Sequence, residues 1–365
     1  MKSKLLSAID IGSSKIATLV AQIREEEDNK LHIIGASSVP ARGVRKGQIV
    51  NIDEAVESIT ESVESAERMA GFNVAKAWIS VGGSHISSQN SQGVVAIAQP
   101  HNEVSPDDVR RVLEAARAIS LPSSTEIIHV IPRSYTVDGQ EGIKDPVGMT
   151  GVRLEVDTHI VTGSTTTMKN LAKCVAEVGC DVSGLVFGGL AASQAVLSDT
   201  EKELGAVLLD IGGGTTDIAI FVEGALSYSV VLPVGAKNVT NDLAVGLRIS
   251  LESAEKIKLL LGQSKVNDKE DTIDLSTLNL PEELKSVSYK TLVEGIIRPR
   301  LNELFQMVAG EIKRSNLGGL TPSGLILCGG GAMTVGIIDS AKRTLSMPVR
   351  IGYPTRITGL IDDIE

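Results

Sequence analysis

The sequence predicts an α/β protein of two lobes, built on an internal duplication and interrupted by a small α+β insert. Three observations carry this. The stretch from Leu204 to Gly224 reads as strand, glycine turn, strand. Its apolar run Ala206–Leu209 leads into Asp210; Gly212, Gly213, Gly214 and Thr215 turn the chain; Thr216 and Asp217 open a second apolar run, Ile218–Val222. A simpler copy lies near the N-terminus: Ala8-Ile9-Asp10-Ile11-Gly12-Ser13-Ser14-Lys15-Ile16-Ala17. In both copies an aspartate closes a strand and Ile-Gly follows, so the second half begins as the first does. The third observation is Gly82-Gly83, after which residues 84–162 keep a helix-and-strand pattern of their own.

Composition bounds the function. The 365 residues are 42% hydrophobic and 22% charged, enough for two domains with sizeable cores. Only 2% are aromatic, too few for base-stacking platforms, and the net charge of −10 repels nucleic acid and anionic membrane. No nucleic-acid partner is expected. Cys174, Cys180 and Cys328 are odd in number and lack CxxC spacing, which suits buried free thiols in a reducing compartment. The five histidines show no metal-ligand spacing; His85, His129 and His159 sit in strand-like contexts and read as structural. The N-terminus enters a strand directly, without a signal-peptide pattern, and no apolar run approaches the ~20 residues of a membrane span. A soluble chain is expected.

Each element has a local reason. Leu5–Asp10, Ile16–Ile23 and Leu31–Val39 form a meander, turned at Gly12–Lys15 and Arg24–Lys30. A glycine turn inside a hairpin excludes the Walker and Rossmann readings, in which the loop must feed a helix. Gly43–Val50 is a loop or short strand. Asp53–Ala70 is a helix by the spacing of Ala55, Val56, Ile59, Val63, Ala66 and Met69, capped by Asn51 or Asp53 and stopped by Gly71. Val74–Val81 alternates and holds Trp78, read as a core anchor.

Within the insert, strands are expected at Gly93–Gln99, Glu126–Val137 and Val152–Thr162, with a helix opened by Ser105-Pro106-Asp107-Asp108. Beyond it come helix Thr165–Val178, strand Asp181–Phe187, the small-residue helix Gly189–Ser198 and strand Ala225–Pro233. Val239–Gly246 and Ser250–Leu261 are helical. Gly262–Ser286 reads as an acidic loop with short strands, and Val287–Arg314 as helix interrupted by Pro299. Strand Ser323–Leu327 runs into Cys328-Gly329-Gly330-Gly331-Ala332, before helix Val335–Leu345 and strand Val349–Ile351.

Two such turns facing across a cleft clamp a nucleoside triphosphate from both sides. Glycines bring bare backbone N–H groups to phosphate. Ser13, Ser14, Thr215 and Thr216 add hydroxyls, and Lys15 a point charge. Asp10 and Asp210 suit Mg²⁺, which prefers water and few carboxylates. Behind a third turn, Gly329–Gly331, bare backbone at Gly330, Gly331 and Ala332 can lie against a flat base or ribose. Glu255 and Lys258 share a helix face, either as a surface ion pair or to reach the nucleoside.

The set DIGSSK, DIGGGTTD and ILCGGGA resembles the two phosphate motifs and the adenosine motif of the actin/Hsp70/sugar-kinase ATPase superfamily. Four further segments, AWISVGGSHISSQNSQGVVAI, VTNDLAVGLRISLESAEKIKLLLG, IIRPRLNEL and IGYPTRITGL, resemble the FtsA family of bacterial cell-division proteins. The resemblance runs over essentially the whole chain. It implies an actin-like bilobal fold of duplicated ribonuclease-H-like domains, in which a small α+β insert, subdomain 1C, replaces the usual second subdomain. The division it implies is 1–83 for the first part of 1A, 84–162 for 1C, 163–238 for the first part of 2A, 239–310 for 2B, and 311–365 for the second part of 2A returning toward 1A.

The resemblance further implies ATP with Mg²⁺ between the lobes. Gly12, Ser13, Ser14, Lys15 and Gly212, Gly213, Gly214, Thr215, Thr216 would hold phosphate, and Glu255, Lys258, Gly330, Gly331 and Ala332 the adenosine. It implies assembly into protofilaments, binding of the C-terminal tail of FtsZ filaments on 2B, and recruitment of later division proteins. Arg300 matches an arginine of the 2B region, where it meets the acidic tail or makes a structural ion pair. Family members lie on the inner face of the cell membrane at the division site, held by a C-terminal amphipathic helix. This chain reaches Glu365 before such a helix, so a shortened chain is expected. Gly188 and Gly189 stand where chaperone-type relatives carry a water-ordering acid, so slow or no hydrolysis is expected. A pilus-assembly adaptor of the PilM type is the nearest rival reading. A kinase of the superfamily is a more distant one, since no substrate base is evident.

Overall fold

Alternation in the first forty residues folds as expected, into a meander: β1 (Lys4–Ile11), β2 (Lys15–Arg24) and β3 (Lys30–Pro40) pair antiparallel in sequence. The computed structural model describes residues 4–24, 30–98, 102–263, 271–282, 284–355 and 357–359. The turn expected at Arg24–Lys30 and part of the acidic segment Gly262–Ser286 lie outside the described residues. A short hairpin, β4 (Val44–Arg45) and β5 (Gln48–Ile49), precedes α1 (Ile52–Ala70). The Asn51 side chain accepts from the Glu54 N–H to cap α1, and Gly71 ends it in the left-handed region, φ 73°. β6 (Lys76–Val81) then runs parallel beside β1.

The insert contributes β7 (Ser87–Ala96), α2 (Pro106–Arg117), β8 (Thr125–Val137), β9 (Gln140–Ile143) and β10 (Arg153–Ser164). Its sheet, in the order β7-β10-β8-β9, is antiparallel throughout. A Ser105–Asp108 capping box starts α2, whose Val112 and Ala116 pack on Tyr135, Val137, Leu154 and Val156. The first insert strand begins at Ser87, six residues before the expected Gly93; polar Ser88, Asn90 and Ser91 hide it from a search for apolar alternation.

The chain returns through α3 (Thr165–Glu177), β11 (Asp181–Phe187), α4 (Gly188–Val196) and α5 (Asp199–Leu204) to β12 (Ala206–Ile211), β13 (Thr216–Val222) and β14 (Ala225–Leu232). Next come α6 (Ala236–Leu247), α7 (Leu251–Gln263), the short pair β15 (Thr272–Asp274) and β16 (Ser286–Ser288), α8 (Arg298–Ser315), β17 (Leu325–Cys328), α9 (Ile337–Leu345), β18 (Val349–Ile351) and β19 (Ile357–Gly359). Pro299 does not interrupt the long helix. The helix runs on through it: a wider, π-helical stretch over Lys290–Ile297, in which Arg298 N–H donates to Val293 O five residues back, passes directly into α8 with Pro299 as its second residue.

The duplication is visible in the sheets. The first is ordered β11-β6-β1-β2-β3-β19 and the second β18-β17-β12-β13-β14, so each joins a three-strand meander to two parallel strands on one side, and the first adds β19 parallel to β3 at its other edge. The second sheet is covered on both faces. Leu209, Ile211, Ile218 and Ile220 pack on α6–α9, while Leu208, Ala219, Phe221 and Ile326 pack beside α4. Each such side chain fully buried stabilises by about 1.5–3 kcal/mol. The first sheet packs Ile9, Ile11, Ile79 and Val81 against α1 and α3. Trp78 stands on its other face, 46% exposed, lying on Gly184 rather than anchoring the core. Alternation told which residues share a face, but not which face is covered.

Candidate functional site: two turns meeting face to face

The two glycine turns are built alike. In each, an aspartate is the penultimate residue of its strand, and the first glycine closes the hairpin: Gly12 N–H donates to Lys15 O at 3.1 Å, and Gly212 N–H to Thr215 O at 2.9 Å. They meet directly. A Cβ added at Gly213 would lie 2.6 Å from Ser14 Cβ, and one at Gly214 would lie 2.9 Å from Ser13 Cβ. Only glycine leaves room for the serines there. The β4–β5 hairpin closes over the same point, with Gly47 N–H donating to Ser13 Oγ at 2.9 Å.

Three carboxylates converge beneath these turns. Asp10 as a residue is exposed, yet desolvation by the protein packed around its carboxyl raises it, against the Ser80 hydroxyl bond and the Lys15 charge. Asp210 is pushed up to about 6, first by burial and then by the charge of Asp10, with Lys15 opposing. Asp217 is raised well above the usual carboxylate range, first by burial and then by Asp210 and Asp10. It lies 7% exposed at the start of β13, facing Asp210 across the ladder. The sequence reading treated Asp217 only as the opening of a strand. The available signal was an acid in a fully apolar strand, at a position where the first copy has Ala17.

Asp217 also bears on the expected lack of an acid at Gly188–Gly189. A Cβ at Gly188 would come 2.7 Å from Asp217 Oδ2, and the carboxylate accepts the Gly189 N–H. The acidic group beside that segment therefore comes from β13 rather than from the segment itself.

Crowded carboxylates without a matching set of cations fit a divalent ion. Among the described residues no group of three or more His, Cys, Asp or Glu side chains is arranged to wrap a metal directly. Asp10 and Asp210 are the donors that would suit Mg²⁺, which keeps its waters and takes one or two carboxylates with phosphate oxygens.

The third turn lies behind the second. Gly329, at φ 78°, comes so near that a Cβ would meet Asp210 Oδ1 at 2.3 Å. Gly331 and Ala332 are buried against Ile211, whereas Gly330 faces open space. A groove lined by Ile211, Gly235, Ala236, Gly331 and Thr334 runs beside it. Gly235 lets α6 start on the second turn: Ala236 N–H donates to Gly212 O and Lys237 N–H to Gly213 O, both at 2.9 Å.

Glu255 and Lys258 are not a surface pair. Lys258 Nζ is buried and donates to Glu255 Oε2 at 2.7 Å and Thr240 Oγ1 at 2.9 Å, while Thr240 donates to Glu255 at 2.5 Å. The network braces the first turn of α6 from behind, and Glu255 remains partly open. Arg300 makes a two-pronged bond to Asp242 on α6, at 2.5 and 2.9 Å, and also holds Glu303. The structure therefore brings the phosphate and metal candidates together at the two turns, except that the Thr216 hydroxyl is buried and donates to Val234 O at 2.8 Å. It sets Glu255 and Lys258 behind α6, and gives Arg300 a partner 58 residues away in sequence.

The expected structural roles stand for two histidines. His159 sits between Asn90 and Ser229, its pKa lowered to about 4 by burial and by Arg133, and His129 accepts the Phe187 N–H. Both tie the insert to the lobes. His85 is placed otherwise: its ring nitrogens are shielded from solvent without a hydrogen-bond partner among the described residues. The three cysteines are buried and free.

Comparison with known proteins completes the picture. A family model described as "SHS2 domain inserted in FTSA" matches residues 83–162, and one described as "Cell division protein FtsA" matches residues 207–364. The cell division protein FtsA of Pseudomonas aeruginosa is 40% identical over 99% of this chain and 86% of its own length. That of Bacillus subtilis is 38% identical over 97% and 80%, and that of Escherichia coli K12 35% identical over 98% and 86%. Among solved structures, a PilM–PilN type IV pilus biogenesis complex superposes with a TM-score of 0.65 at 17% identity, covering 97% of this chain and 90% of that one. MreB5 of Spiroplasma citri bound to ADP gives 0.57 at 15% identity, covering 96% and 92%. These structures share the actin-like fold and no more at such identity. The sequence matches, over nearly the whole chain and on both the insert and the second lobe, show that the chain belongs to the FtsA family of cell-division proteins.

Proposed function

We propose that this chain is an ATP-binding, actin-like cell-division adaptor. It takes ATP with Mg²⁺ between its lobes, assembles into protofilaments, holds the C-terminal tail of FtsZ, and recruits later division proteins through its insert. The observation that carries the nucleotide reading is the contact between the two Asp-Ile-Gly turns, with three carboxylates and Lys15 beneath. Backbone N–H groups, hydroxyls and one lysine supply phosphate donors from both sides. The bound ion would neutralise the carboxylates and the phosphates together. The division 1–83, 84–162, 163–238, 239–310 and 311–365 follows the same reading. Attachment to the inner face of the membrane at the division site belongs to the same reading; no described helix is long and apolar enough to cross a bilayer.

Hydrolysis is secondary in this reading. Asp217 is sealed under Gly82, Gly188 and Gly189, so it does not offer a free base to a sugar or other acceptor, which disfavours a kinase. Isothermal titration with Mg²⁺–ATP tests the site; a single binding event is expected, and absence of heat from well-folded protein sinks the reading. For the tail, Arg300 must be released from Asp242. Asp242→Ala should strengthen binding of an FtsZ tail peptide several-fold and Arg300→Ala should abolish it. Equal binding by both variants and wild type removes Arg300 from the interface.

A further inference from the structure

We propose that Lys237 is a movable phosphate ligand, which latches the two turns together in the closed cleft and transfers to the terminal phosphates of a bound nucleoside triphosphate. The proposal rests on the nucleotide-binding reading above. Lys237 is the second residue of α6, and it touches both turns. Its backbone N–H donates to Gly213 O at 2.9 Å, and its Nζ reaches across the cleft to donate to Ser13 O at 2.6 Å. Ser13 is thus gripped on three sides: its carbonyl by Lys237, its hydroxyl by Gly47 N–H, and its Cβ by the backbone of Gly214.

Two features mark the Ser13 bond as a resting position. A helix N-terminus carries partial positive charge, so a lysine in the first turn of α6 is electrostatically misplaced unless an anion faces it. Its acceptor, however, is a neutral carbonyl, and among the described residues Lys237 has no carboxylate partner. A phosphate oxygen makes a shorter, charge-assisted bond and outcompetes a carbonyl at the same reach. The other cation of the clamp, Lys15, differs in its surroundings: its charge acts on Asp10 and Asp210, lowering both. Lys237 is exposed and remains available to an incoming phosphate chain.

Titrations of wild type, Lys237→Met and Lys237→Arg with Mg²⁺–ATP, Mg²⁺–ADP and adenosine decide the matter. Lys237→Met should bind Mg²⁺–ATP about tenfold more weakly, lose less for ADP, and bind adenosine as wild type does; Lys237→Arg should recover most of the loss. Unchanged or tighter Mg²⁺–ATP binding by Lys237→Met overturns the proposal, because a latch alone would only hold the cleft shut. Failure of wild type to bind ATP overturns the nucleotide reading and this proposal together, whereas normal wild-type binding with an indifferent Lys237→Met removes this proposal alone. Should Lys237→Met lose adenosine as well, the ATP-to-ADP affinity ratio of Lys237→Gln decides. A ratio below that of wild type supports the transfer, and an equal ratio overturns it.

Discussion

The two turns share a backbone and divide the chemistry. Ile11 pairs with Ile16 and Ile211 with Thr216, so the loops have one length and one register. The first turn brings side chains: Ser13, Ser14 and the cation of Lys15. The second brings space: Gly213 and Gly214 where those serines seat, and Thr215 in place of the lysine. Across the ladder, Asp10 faces Ala17, whereas Asp210 faces Asp217. The strands differ too, since β12 is buried on both faces and β1 on one. A duplicated hairpin has thus become a complementary pair, with donors on one side and an acid-lined hollow on the other.

Removing the metal-side acid should break that pair most severely. Asp210→Ala takes away a cleft carboxylate near Gly329 and is expected to weaken Mg²⁺–ATP binding roughly 100-fold by calorimetry. Binding that survives unchanged would show that the second turn does not serve the ion. Wedging the turns apart should cost less. Gly213→Ala places a Cβ 2.6 Å from Ser14 Cβ, an overpacking of about 1–3 kcal/mol, so nucleotide affinity should fall about tenfold. The double variant Gly213→Ala with Ser14→Gly exchanges bulk for space across the contact and should restore most of the loss. A double variant as weak as the single one would mean that the turns do not need to fit each other.

Much of this was legible in the chain. The repeated Asp-Ile-Gly, the hairpin context and the self-contained insert each follow from short-range pattern, because hydrophobic period and glycine position are local properties. What stayed hidden depends on pairing at a distance. Asp217 acquires meaning only when β13 lies beside β12 and under Gly188. Lys258 looks like an exposed i,i+3 partner until Thr240, on another helix, completes its shell. For Arg300 the sequence leaves a partner's acidic tail and a structural ion pair equally open until Asp242 is placed opposite. Trp78 reads as core because sequence period identifies a face without showing whether anything covers it. The expected break at Pro299 failed for a different reason, since the wider π-helical stretch ahead of it carries the helix past the proline.

The smallest effect tests the asymmetry at Ala17 and Asp217 through pH. Burial raises Asp217 first, and the charges of Asp210 and Asp10 add to it. A carboxyl raised in the folded state holds its proton there above pH 3.8, where the unfolded chain has released it. Its contribution to stability is therefore fully present below about pH 4 and declines as pH rises through the folded value. Asp210 follows the same sign, declining through about 6. Asp217→Asn keeps the shape of the protonated acid and cannot ionise. Near pH 4 the variant and wild type should melt together. As pH rises the variant should pull ahead, by roughly 2–4 °C at pH 8 for about 1 kcal/mol of relieved repulsion. Saturating Mg²⁺ should narrow the gap, since a divalent ion favours the ionised trio in wild type. Melting temperatures from pH 4 to 8, with and without Mg²⁺, give the answer. A gap that stays flat with pH would show that Asp217 is an ordinary strand residue, no more charged in its consequences than Ala17.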